Sequence, residues 1–142
     1  MSTIEDAFYH HAKDASAVAA LVGTRIYRAG NVPQGTTANY IVYQRVSTPD
    51  RVRHQTGVDG LAQTRISATC WAATSKVAKQ VSDALRGAFE TVQNEDIGET
   101  GSEVAVKCAT PADERHYPLP PTDGSQRGMH GYVLDLLIWH EE

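Results

Sequence analysis

Cysteine is scarce in this chain: Cys70 and Cys108 are the only two among 142 residues. A disulfide framework needs a denser set, so the fold must rest on a hydrophobic core rather than on covalent staples. Both cysteines fall in strand-like segments and read as buried free thiols of a protein folded in a reducing cytoplasm. Long apolar runs are also missing. The longest candidate, Val133 to Trp139, is interrupted by Asp135 and falls well short of the roughly 18 residues a membrane helix needs. Near the start stand Glu5 and Asp6 rather than a basic stretch followed by apolar residues, so no secretory pattern is expected. Positive charge is in deficit as well, with 13 Lys and Arg against 17 Asp and Glu and a net charge of −4. That balance argues against a dedicated nucleic-acid binder, which draws its affinity from a concentrated positive field.

Catalytic and ligand motifs are equally thin. The six histidines include the neighbours His10 and His11, while His54, His116, His130 and His140 are scattered. No pair has a spacing that would fix a metal on one face, so surface or helix-face histidines are expected and no cofactor or metal is assigned. The nucleophile elbow G-x-S-x-G is absent. Gly57-Val-Asp-Gly60 lacks the Lys-Ser/Thr ending of a phosphate loop. Asp113-Glu114-Arg115-His116 offers an acid, a base and an anion clamp on paper, but local ion pairs in a solvated loop explain it more simply. No enzymatic activity is expected from this set.

What the chain does contain is secondary-structure pattern. Ile4, Ala7, Phe8, His11, Ala15, Val18 and Val22 recur near the helical period after Thr3, with a capping-box partner at Asp6; a helix over 3–22 is expected, with a break near Lys13-Asp14 as the alternative. Tyr40 to Ser47 is rich in β-branched and aromatic residues and predicts a strand. The next strand, 61–71, alternates: Ala62, Thr64, Ile66, Ala68 and Cys70 face one way, and Gln63, Arg65, Ser67, Thr69 and Trp71 the other. A Thr/Ser cap then leads into a helix over 75–89, the natural cover for the apolar face of that strand. Glu103 to Ala109 predicts a short strand, and Met129 to His140 a strand that is central or covered on both sides, with Arg127 or Asp135 near an edge. Thr91 to Glu103, acidic and punctuated by glycine, reads as an exposed connection. Segments 49–60 and 111–128 read as two long loops.

The expected fold is α+β, a single domain over 1–142. A mostly antiparallel sheet of four strands, or slightly more, carries two main helices on one face and two long loops.

Several of these segments, taken in order, resemble the phage tail completion, or tail-terminator, family of long-tailed phages. They are Ala19-Ala-Leu-Val-Gly-Thr-Arg-Ile-Tyr27, Val32-Pro-Gln-Gly35, Tyr40-Ile-Val-Tyr-Gln-Arg-Val46, the run from Gly60 through Trp71 to Phe89, and Leu134-Asp-Leu-Leu-Ile-Trp139. The resemblance implies a structural virion protein, made in the host cytoplasm and located at the tail–neck junction. It implies a ring, hexameric in the family, that caps the head-proximal end of the tail tube, stops tube polymerisation and joins the head completion (stopper) protein. The implied partners are further copies of this chain, the tube protein and the stopper, with genomic DNA passing through the lumen without specific binding and no membrane contact. An acidic run at Glu95 to Glu103, if it lined such a lumen, would repel phosphate. The two loops become the arms for these contacts, with Arg51, Val52, Arg53 and His54 on the first and Tyr117, Leu119 and Arg127 on the second as interface candidates. Another neck or head-completion component is the alternative, and a small α+β ligand-binding domain or enzyme is a more distant one.

Overall fold

The computed structural model describes residues 3–31, 39–54, 57–101, 103–119 and 129–141, with the backbone alone at 47–54, 57–61, 117–119 and 129. Helix α1 (Ile4–Asp14) begins with the expected capping box between Thr3 and Asp6. It buries Ile4, Ala7, Phe8 and Ala12, a stripe at helical spacing. The break falls at Ala15, whose extended backbone (φ −72°, ψ 119°) separates α1 from α2 (Ser16–Val22). Neither Asp14 nor Ser16 caps the second helix by its side chain, which starts instead on the backbone of Ala15.

Six strands follow: β1 (Ile26–Arg28), β2 (Tyr40–His54), β3 (Gly57–Ala72), β4 (Gln93–Ile97), β5 (Val104–Leu119) and β6 (Met129–Glu141), with α3 (Ser75–Glu90) between β3 and β4. They make one sheet in the order β1-β2-β3-β6-β5-β4, antiparallel except for the β1–β2 pair. The α+β class stands, but the sheet has six strands rather than about four. The two additions are short edge strands: β1, where Arg25-Ile-Tyr27 already suggests a short extended segment, and the acidic β4, whose composition reads as a connection.

β3 buries Ala62, Thr64, Ile66, Ala68 and Cys70 while Gln63, Arg65, Ser67, Thr69 and Trp71 stay half-exposed, as the alternation predicts. Its small apolar side chains allow α3 to lie close over them. α3 is capped by Thr74, which accepts from the Val77 amide at 3.3 Å, and buries Ala78, Val81, Ser82, Leu85 and Phe89. Phe8 of α1 stacks on Phe89 of α3 at 4.9 Å and lies 5.1 Å from Tyr43 of β2, so one ring joins both helices to the sheet. β6 is central, between β3 and β5, with Leu134, Leu136 and Ile138 facing the helices.

Gly98 follows β4 with φ +119°, a backbone that glycine alone adopts readily, and a Cβ there would stand 3.3 Å from the Ala7 Cβ. That turn thereby seats the β4 end against α1.

Candidate interaction surface

The largest departure from the sequence pattern is in the two long loops. Residues 49–54 are the end of β2 and 57–60 the start of β3, paired as far as His54↔Gly57; 55 and 56 lie outside the described residues. Residues 111–119 continue β5, paired with β6 as far as Leu119↔Met129. Both are lengths of paired strand, and the β2–β3 pair runs on past its neighbour β6 as an arm. The sequence hid them because strand alternation reflects burial of one face, and the described side chains at 111–116 are exposed or half-buried on both faces.

Strand register places these ends. β3 pairs with β6 from Leu61↔Glu141 to Ala72↔His130. The β2–β3 arm thus extends beyond the C-terminal end of β6 by Gly57 to Gly60, about 13 Å at the usual strand rise. The β5–β6 pairing ends at Leu119↔Met129, at the opposite end of the sheet, one pair beyond Ala72↔His130 of β3. Arg51, Val52, Arg53 and His54 therefore stand together at the end of the β2–β3 pair, and Tyr117 and Leu119 at the end of the β5–β6 pair, at opposite ends of the sheet. Arg127 lies outside the described residues.

Among the described residues no catalytic constellation assembles between them. Asp113 to His116 lie in a strand, so their side chains alternate between faces instead of converging. Glu114 joins Lys79 and Arg86 of α3, the latter at 3.5 Å, while Arg115 lies 2.6 Å from Asp113 and 3.3 Å from Asp135. His116 stacks on Tyr132 and its Nε2 lies 3.2 Å from His130 Nδ1, a pairing the sequence spacing did not disclose. The expectation of surface histidines fails at His140, which is buried with its Nε2 2.7 Å from the Thr64 hydroxyl. Among the described residues no group of three or more His, Cys, Asp or Glu could hold a metal ion. Cys70 is fully buried, and burial pushes its thiol far above the ordinary range. Cys108, expected to be buried, is only partly so, and both thiols are free.

Asp135 stands in the central strand, not near an edge. Its side chain is 4% exposed and takes hydrogen bonds from Arg65 at 2.6 Å and Arg115 at 3.3 Å. Burial pushes its carboxyl up, but hydrogen bonds from Arg65, Ser67 and Arg115 together outweigh that and hold it below the ordinary aspartate range. Beside α1, a groove of about 380 Å³ is lined in part by Asp6, Tyr27, Arg28 and Tyr43. It is broad and open, and Asp6 and Arg28 engage each other across it at 3.4 Å. Such a groove lacks the enclosure that a small-molecule site draws on. The described surface is thus one of edges and strand ends.

No curated protein sequence matches the chain. Among solved structures it is similar to a chain of the "Virion of native gene transfer agent (GTA) particle", with a TM-score of 0.70 and 20% identity, covering 95% of this chain and 92% of that one. At that identity the likeness speaks to the fold. Residues 6–107 match the family described as tail completion protein gp17. The chain belongs to the tail completion protein gp17 family and is a structural protein of a phage-type tail.

Proposed function

We propose that the chain, acting as one domain over 1–142, forms a ring at the head-proximal end of the tail tube. The ring stops tube polymerisation and presents a joint to the head completion protein. The observation that supports this reading is that the β2–β3 and β5–β6 pairings end at opposite ends of one sheet. A terminator must touch the tube on one side and the head side on the other, and a rigid sheet with a strand pair ending on each side offers both contacts from one small domain. A ring, hexameric by analogy with the family, closes because head-to-tail contacts use two different patches per copy. In this reading the protein resides in the virion at the neck, DNA passes through without specific recognition, and the role is structural rather than catalytic.

Electron microscopy of particles made without the chain tests the proposal. Tails of irregular, excessive length that fail to join heads are expected. Tails of normal length joined to heads would refute it, and normal-length tails beside separate, DNA-leaking heads would indicate a head-side neck component instead.

A further inference from the structure

The two margins of the sheet are complementary steps. β1 covers only Ile41 to Tyr43 of β2, and one further bond, from the Ala29 amide to the Tyr43 carbonyl, ends the pairing. From Gln44 to His54 no described strand flanks the outer side of β2. At the other margin β4 covers Val104 to Cys108 of β5, and β5 from Ala109 to Leu119 is flanked by no described strand on its outer side. Through the register of β6, β1 sits level with Tyr132 to Leu134 and β4 level with Trp139 and His140. One margin therefore projects at one end of the sheet, and the opposite margin projects at the other end.

Strand directions fit the same picture. β1, β2, β4 and β6 run one way and β3 and β5 the other. Rotation about an axis along the strands preserves these directions. It brings β4 of one copy alongside the open length of β2 in the next, with β1 below it facing the open length of β5. Unpaired strand backbone on both sides is a ready template for such pairing.

Charge selects the same match. From Glu90 to Glu103 the chain has five carboxylates and no Lys or Arg, and Glu95 and Asp96 are exposed without an ion pair among the described residues. The open length of β2, from Gln44 to His54, carries Arg45, Arg51 and Arg53 against a single acid, Asp50. Glu5 engages Arg45 at 2.9 Å, so the positive charge of this length centres on Arg51 and Arg53.

We infer that a second copy of this chain docks its acidic β4 margin on the basic open edge of β2. The inference rests on the ring reading above and names the seam between its copies. The carboxylates of β4 then lie at that seam and not on the lumen wall.

Cross-linking tests it on the full chain in a Cys108→Ser background, where buried Cys70 is the one remaining thiol. A chain carrying Asp96→Cys is mixed with one carrying Arg53→Cys and treated with a short bis-maleimide. Cross-linked pairs of unlike chains are expected, with few from either chain alone. Adding Arg51→Glu to the second chain should lower the yield about tenfold, and adding Glu95→Arg to the first should restore it. A yield no higher than that with a Lys76→Cys partner, on exposed α3 surface, overturns the inference. Sedimentation of the wild-type chain separates the two readings. Closed oligomers without edge cross-links leave the ring standing and sink the seam, while edge cross-links in open-ended polymers do the reverse. Monomers without cross-links refute both.

Discussion

Asp135 invites a decisive measurement, because it is a buried charge held by partners that are themselves partly in water. Arg65 is 39% exposed and Arg115 54%, against 4% for the aspartate. Breaking a fully buried pair by removing one partner costs about 3–5 kcal/mol, whereas an exposed pair contributes about 0–1 kcal/mol. Asp135→Asn keeps the shape and removes the charge, while Arg65 can turn to solvent. A loss between those limits, about 2–3 kcal/mol, is expected, equivalent to about 6–12 °C in melting temperature for a domain of this size. In a double-mutant cycle with Arg65→Ala the coupling should be about 1–2 kcal/mol.

The pH dependence has a definite sign. The folded-state pKa of Asp135 is lowered from the ordinary value of 3.8, so its contribution is present above that value and is lost as pH falls through the lower folded value. Urea titrations at neutral pH and at stepped values below about pH 4 should show the wild-type advantage over Asp135→Asn shrinking with acid. A coupling under about 0.3 kcal/mol, or an advantage that does not change in acid, would refute the argument that the arginines stabilise a buried carboxylate.

Other outcomes follow from packing. A Cβ on Gly131 would meet the Trp71 ring at 3.1 Å and Thr69 Cγ2 at 3.2 Å. Gly131→Val should therefore cost about 1–3 kcal/mol and shift tryptophan emission, and an unchanged spectrum and midpoint would contradict the close approach. Leu85→Ala empties a fully buried site between α3 and the sheet and should cost about 2–5 kcal/mol by denaturant titration. Cys70 should resist a thiol reagent in the folded chain and react on unfolding, while Cys108 should be the faster to label, as mass spectrometry of a timed series would show.

Legibility from sequence tracked burial. The β3 alternation and the α3 stripe were readable because each element buries one face and the side chains record it. Ile66 and Leu85 are where their periods put them. β4 was invisible because four of its five residues, Gln93 to Asp96, are exposed, so nothing in its composition separates it from a loop. Asn94, at φ 51°, has a backbone unusual for a strand, although the register with β5 continues unbroken on either side of it. Pro111 argued against a strand, and the structure accommodates it because that length of β5 has no described strand on its outer side. Asp135 looked like an edge residue because its two arginines come from β3 and β5, each far away in sequence.

The ion pairs of the helical layer take on meaning from where they sit. α1 is tied to the β1–β2 margin by Asp6–Arg28 and Glu5–Arg45, and α3 to the β5 margin by Lys79 and Arg86 on Glu114. Exposed pairs of this kind contribute about 0–1 kcal/mol each, too little to explain the stability of the domain. Their consequence is geometric. They fix the helical layer against the margins proposed to meet between copies, so less motion is left to be lost on association. The stacked Phe8 and Phe89 rings join the two helices in between. A contact through both margins would then be made by one stiff plate, and a small error in the angle between its margins would carry round every copy. Ring closure requires the same angle at each seam. Glu5→Gln and Glu114→Gln should accordingly leave the monomer nearly as stable while broadening the distribution of oligomer sizes by sedimentation. A sharp, unchanged oligomer from both variants would show that the helical clamps play no part in closure.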